Sequence, residues 1–206
     1  MLKIWGRANS SNVQKVLWCC DELGIGYERI DAGGAFGRTR DPDYLALNPM
    51  GLVPTIEDGD AVVWESNTIL RYFATTRGGG RLYPTNPVAR SHVERWMDWQ
   101  IAHLVTPMTT LLFHLVRLPE KERDAGAADA ARRRGQEMWA MVDRQLADKD
   151  YIAGASFTLA DICLGIFAYR WLHFPLEREM LPRLEAWHGR LAQRQPFVTH
   201  VMQPIT

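Results

Sequence analysis

Two serines, a glutamate and a proline stand where the chain changes character, and their types suit the binding of a small polar ligand. The first group is Asn9-Ser10-Ser11-Asn12. It follows a strand-like run and opens a helical one, and open α/β sheets place ligands at such turns. A helix N-terminus offers unpaired N–H groups and about half a positive charge, which favours a bound anion. Ser11 and Gln14 have the Ser-x-x-Gln spacing of a capping box. That gives Ser11 a structural task and leaves Ser10, one residue nearer the strand, free to turn its hydroxyl to a ligand. On spacing alone, both serines acting only as caps is the simpler reading. Glu65-Ser66 marks a second helix start. A carboxylate there can bind an ammonium while the helix N–H groups bind a carboxylate, a pattern complementary to an amino-acid head group. The plainer alternative is an acidic residue favouring the dipole beside a serine cap. Val53-Pro54 opens an extended run, where proline is tolerated and a cis bond would be a deliberate feature.

The elements that must hold these groups follow from periodicity. Leu2–Trp5 reads as a strand, and Val13, Val16, Leu17, Cys20 and Leu23 recur at helical spacing until Gly24. Tyr27–Ile30 reads as a second strand, with a weaker helix over 43–47. Runs 53–56 and 61–64 form a hairpin joined through Asp58-Gly59. Ser66 caps the next helix, with Ile69, Leu70 and Phe73 on its apolar face, and Gly78-Gly79-Gly80 ends it. The pattern is βαβαββα, an α/β unit over 1–78. Residues 79–87, rich in Gly and Pro, read as a linker, and 88–206 read as all-α. The spacing predicts a long apolar helix over 88–117 kinked by Pro107. Further helices are expected over 127–147, from the capping box Thr158-Leu159-Ala160-Asp161 to residue 172, and over 182–194 as the last.

Composition narrows the function classes. Hydrophobic residues at 47% and charged residues at 23% are globular values, which excludes disorder. Lys+Arg and Asp+Glu balance at 24 each, so a general nucleic-acid surface is not expected. No run is long enough to span a bilayer, and the opening residues turn polar too early for a secretory signal, which points to the cytoplasm. Three cysteines, with no Cys-x-x-Cys and no metal-ligand spacing, read as buried thiols. The block Arg132-Arg133-Arg134 reads as a solvated helix face.

Taken in order, several motifs resemble the soluble glutathione transferases over nearly the full length. They are 9–16 (NSSNVQKV), 48–54 (NPMGLVP), 65–72 (ESNTILRY), 151–162 (YIAGASFTLADI) and 182–187 (PRLEAW). Serine at the first motif, in place of tyrosine or cysteine, is similar to theta-like bacterial members. The resemblance implies a thioredoxin-like domain followed by an all-helical domain, working as a homodimer. It implies glutathione as a substrate, with no cofactor and no metal, and a hydrophobic electrophile as the second substrate.

Roles carry over residue by residue. Ser10 matches the serine that contacts the glutathione sulfur, with Ser11 and Asn12 beside it. Val53, between Leu52 and a cis Pro54, matches the residue that pairs with the cysteinyl backbone. Glu65 and Ser66 match the pair that holds the γ-glutamyl group. Leu52 stands where related serine enzymes often have a basic residue, which leaves Arg38, Arg40 or His103 for the glycine carboxylate. Trp99, His103, Pro107, Met108, Leu111 and Trp171 are candidates for the electrophile pocket, although such residues at helical spacing are more often core. The alternatives are a glutathione-dependent peroxidase or disulfide reductase, or a non-catalytic interaction module of the same fold.

Overall fold

Leu2 and Ile4 point inward and Lys3 outward in β1 (Leu2–Trp5), the alternation of a strand with one covered face. The computed structural model, which describes residues 1–206, places it inside a four-stranded sheet of order β2-β1-β3-β4. β1 runs parallel to β2 (Tyr27–Ile30) and antiparallel to β3 (Thr55–Asp58), with Leu2 opposite Tyr27 and Ile4 opposite Ile56. β3 turns through Gly59-Asp60 into β4 (Ala61–Trp64). Between β1 and β2 lies α1 (Ser11–Leu23), buried continuously from Val13 to Cys20. It stops at Gly24 in the left-handed conformation (φ 66), whose N–H returns to the Asp21 and Cys20 carbonyls. α2 (Pro42–Leu47) and α3 (Ser66–Thr76) complete the thioredoxin-like βαβαββα order.

The connection that follows is not a free tether. Leu82 and Tyr83 are buried, and the Leu82 carbonyl accepts the Leu159 N–H at 3.0 Å. Asn86 caps α4 (Pro87–Trp99), its side chain accepting from Val88 and Ala89 at 3.0 and 3.1 Å. Instead of one bent helix over 88–117, the chain forms a π turn at Gln100–Leu104, then α5 (Val105–Leu112), then a second π turn at Phe113–Arg117. Pro107 has no N–H for the His103 carbonyl. The wider bonding of Val105 N–H to the Gln100 carbonyl absorbs that register break just before it.

α6 (Ala125–Gln145) carries Arg132, Arg133 and Arg134 on its solvent side, paired with Asp129 and Glu137. At the centre stands α7 (Leu159–His173). Its Asp161 carboxylate accepts from the Thr158 N–H (2.8 Å) and hydroxyl (3.1 Å), the Ile152 N–H and the Trp187 indole (2.9 Å each). α8 (Pro182–Leu191) ends before Arg194, and a further helix, α9 (Gln195–His200), follows that periodicity did not predict. Six residues are too few to register a period. α9 is held by Phe197, fully buried against Trp18 at 4.9 Å between ring centroids. Trp18 of α1 thus joins both halves in one hydrophobic core. No helix is long and apolar enough to cross a membrane.

Candidate functional site

Gly6 lets the first ligand-facing turn lie close to the sheet. A Cβ there would stand 2.4 Å from Val13 Cγ2 and 3.3 Å from Val53 Cβ, so only glycine allows these two loops to meet. The chain enters the α conformation at Ser11, one residue earlier than the capping-box spacing suggests. Ser10, still extended at φ −81 and ψ 124, therefore occupies the cap position, and the expected Ser11–Gln14 box does not form. The Ser10 carbonyl accepts the Gln14 N–H at 2.8 Å, while its hydroxyl makes no cap hydrogen bond. Ser10 is only 9% exposed, and Ser11 and Asn12 are half-buried. The first-turn N–H groups lack intrahelical partners, and no acidic residue in that turn offsets the dipole.

The second wall is the 48–54 loop. The Val53–Pro54 bond is cis. Asn48 Nδ2 donates to the Leu52 carbonyl (3.0 Å) and Thr55 Oγ1 (3.1 Å), and the Tyr44 hydroxyl reaches the same carbonyl at 2.6 Å. With Leu52 pinned, the Val53 N–H and C=O have no partner within the chain and form a short free edge. The Leu52 side chain is exposed. Of the three cations considered for a glycine carboxylate, Arg40 runs beside Gly51, its Nη1 3.0 Å from where a Cβ would sit. Arg38 instead stacks on Trp5 at 4.8 Å, and His103 is exposed on the first π turn.

The third wall is the start of α3. Here too the cap lies one residue earlier than expected: Ser66 is the first helical residue and Glu65 the cap. Glu65 is exposed and holds φ 70, a conformation a non-glycine residue keeps only where its surroundings impose it. Beneath Ser66 lies a residue the sequence reading missed. Lys15 is 1% exposed, and its ammonium donates to Gln100 Oε1 (2.9 Å), Asn67 Oδ1 (3.1 Å) and Ser66 Oγ (3.4 Å). It has no carboxylate partner at ion-pair distance, and burial pulls its pKa down while Cys163 and Glu65 oppose the shift. A lysine inside the apolar run from Val13 to Cys20 was the available signal.

The electrophile-side candidates divide between surface and core. Trp171 is 0% exposed and stacks where a Cβ on Gly135 of α6 would lie 2.7 Å from its ring, so it belongs to the core and lines no open pocket. Pro107, Met108 and Leu111 are buried, and His103 lies 6.1 Å from the Trp99 ring at the surface. A cavity of about 490 Å³ between α5 and α6, with Leu111, His114 and Leu176 in its wall, contains none of the glutathione candidates. All three cysteines are buried and free. Burial pushes the Cys19 and Cys20 thiols well up and the Cys163 thiol to about 11.

Comparison with known proteins bears directly on this arrangement. Residues 9–76 match the glutathione S-transferase N-terminal domain model and residues 104–195 the glutathione S-transferase C-terminal domain model. The glutathione S-transferase GstB of Escherichia coli (strain K12) is 39% identical over 208 residues, covering 100% of both chains. Glutathione S-transferase 3 of Zea mays is 34% identical, covering 95% of this chain and 91% of its own. Among solved structures, the theta class glutathione S-transferase of Xanthomonas axonopodis pv. citri with glutathione bound superposes with a TM-score of 0.96 at 45% identity. That match covers 100% of this chain and 99% of the other. With both halves matched in order and a relative aligned from end to end, the chain belongs to the glutathione S-transferase family.

Proposed function

We propose that this transferase holds glutathione across the three walls and stabilises its thiolate at Ser10 for attack on an electrophilic carbon. The observation that carries this reading is a nearly buried serine at the cap of α1 whose hydroxyl is not used by its own helix. A free thiol has a pKa of roughly 8.5, so only a few per cent is ionised near neutrality. Lowering that value to about 6.5 stabilises the thiolate by about 2.7 kcal/mol. An O–H···S⁻ bond from Ser10 and the uncompensated dipole of α1 supply such a shift. The serine donates and needs no base.

The other contacts follow from the free groups. The Val53 N–H and C=O pair with the cysteinyl backbone. Glu65 takes the γ-glutamyl ammonium while Ser66 and the α3 N–H groups take its carboxylate, with the Lys15 charge reinforcing them from behind. Arg40 takes the glycine carboxylate. Residues 1–78 form the glutathione-binding unit, 79–87 the connection and 88–206 the unit facing the electrophile, which has a hydrophobic body. The active form is a homodimer in the cytoplasm, a reducing compartment consistent with three free cysteines. Those cysteines are buried with raised pKa values, which counts against a mixed-disulfide reductase acting through the protein's own thiol.

The test is a pH titration of the thiolate absorbance of bound glutathione in Ser10→Ala and Ser11→Ala. The expected outcome is a thiol pKa raised by one to two units, roughly 1.4–2.7 kcal/mol, in Ser10→Ala only, with affinity nearly retained. A shift confined to Ser11→Ala would move the role to the neighbouring residue.

A further inference from the structure

Beside the Ser10 turn three arginines from distant parts of the chain converge, and no Asp or Glu carboxylate answers them. Arg7 follows β1 and donates from Nη1 to Asn9 Oδ1 at 2.6 Å. Arg170 of α7 donates from Nη2 to the Asn9 carbonyl at 3.3 Å, which belongs to the peptide unit that carries the Ser10 nitrogen. Asn9 Nδ2 in turn donates to Thr206 Oγ1 at 2.6 Å, and the Thr206 carbonyl accepts from Arg117 Nε and Nη2 at 3.0 and 2.7 Å. Asn9 and Thr206 thus gather three guanidiniums, Arg7 and Arg170 through the neutral acceptors of Asn9 alone. None of the ion pairs in the molecule includes any of the three. Were Thr206 to carry a chain-terminal carboxylate, it would offset the Arg117 charge and still leave Arg7 and Arg170 unmatched.

The energetics make this arrangement unusual for a purely structural cluster. Arg170 is 7% exposed, and burial first, then the charges of Arg117 and Arg7, pushes its pKa down to about 10. Arg7 and Arg117 are lowered as well, by burial and, for Arg117, by Arg7. A buried cation without a counter-ion is costly and normally paired. Only Nη2 of Arg170 has a partner, the Asn9 carbonyl, which leaves the rest of the guanidinium fork unpaired within the chain. Guanidiniums match planar carboxylates through two parallel N–H···O bonds. Phe113, half-exposed beneath Arg117 with its ring 5.7 Å from the guanidinium, gives an adjoining apolar surface.

We propose that Arg7, Arg117 and Arg170 form an anion subsite that selects electrophiles bearing a carboxylate and holds that group beside the thiolate. This rests on the transferase reading above and names the substrate class for its second site. With a chloronitrobenzoate the glutathione sulfur forms a C–S bond at the chlorine-bearing ring carbon. The electron pair of the C–Cl bond leaves with chloride, and the thiol proton goes to solvent when the thiolate forms.

The experiment compares a chloronitrobenzoate with the corresponding chloronitrobenzamide, each kcat/KM divided by its uncatalysed rate with glutathione. The expected result is a preference for the carboxylate of about tenfold or more, falling about tenfold in Arg7→Gln and in Arg117→Gln. Arg170→Lys, which keeps the charge and removes the fork, is expected to lose part of it. A wild-type ratio at or below one overturns the proposal, as does an equal loss on both substrates, which marks a structural role. A raised glutathione KM at an unchanged ratio assigns the arginines to glutathione and also overturns it. If neither these compounds nor a neutral chlorodinitrobenzene is turned over, the thiolate-transfer reading fails. Calorimetry of nitrobenzoate on the protein loaded with S-methylglutathione then decides the subsite by itself: binding that is weakened in Arg7→Gln supports it, and no binding refutes it.

Discussion

Lys15 is the residue whose chemistry depends most on its surroundings. Its ammonium is buried under the start of α3, where the N–H groups of Ser66, Asn67 and Thr68 already lack intrahelical partners. A positive charge there strengthens the same field that draws a carboxylate to the helix end. Lys15→Met keeps the length of the side chain but removes the charge and the donor to Gln100, Asn67 and Ser66. Glutathione affinity is expected to fall about tenfold, roughly 1.4 kcal/mol. Stability is expected to fall by about 1–3 kcal/mol, because three buried acceptors lose a donor. Calorimetric titration separates the two: unchanged affinity with lowered stability would reduce Lys15 to a packing role.

Among the elements, the contact of α7, α8 and α9 carries a built-in pH dependence. His188 of α8 stacks on Tyr169 of α7, 6.1 Å between centroids, and lies 5.6 Å from Phe197 of α9. Its Nε2 is buried without a partner. Burial, reinforced by the neighbouring His173, pushes its pKa from the ordinary 6.5 down to about 4. The unfolded chain therefore takes up this proton at a higher pH than the folded one. The contribution of the neutral imidazole is fully present above pH 6.5 and is lost as pH falls toward about 4. Between about pH 7 and pH 5 this group accounts for up to about 2 kcal/mol of lost stability. In His188→Phe the urea midpoint is expected to fall less over that interval than in the wild type. Parallel pH profiles for the two proteins would rule the imidazole out as the cause.

For the molecule as a whole the open matter is association. Of the apolar residues over 88–117, Trp96 and Leu104 are covered within the chain itself. The exposed apolar residues include Val88, Ile101 and Phe113 on this stretch, together with Val62 and Trp64 on β4, an edge strand of the sheet. An unpaired edge bearing exposed apolar side chains is a surface that soluble proteins usually cover. Two copies related by a two-fold axis would cover it on both. Sedimentation equilibrium at micromolar concentration is expected to give twice the 23.5 kDa chain mass, with Trp64→Asp shifted toward the single chain. One species near 23.5 kDa in the unmodified protein would refute the dimer.

What was legible in the sequence is whatever local spacing encodes. Leu2–Trp5 alternates, Thr158 and Asp161 stand at capping distance, and Gly24 stops α1; each outcome depends on neighbours a few residues away. The order of the motifs sufficed for the family and for the βαβαββα arrangement. Where the helices begin was less secure, because Ser10 and Ser11, or Glu65 and Ser66, serve equally well as caps by type, and the backbone path into each helix chooses between them. The interior belonged to tertiary structure alone. Trp171 faces the core because Gly135, on another helix, leaves room for its ring. Lys15 meets Gln100 across 85 positions and Arg170 meets Asn9 across 161, and no periodicity links residues so far apart. The sequence supplied the charges, and packing three helices and a turn around one core decided which of them would be left without a partner.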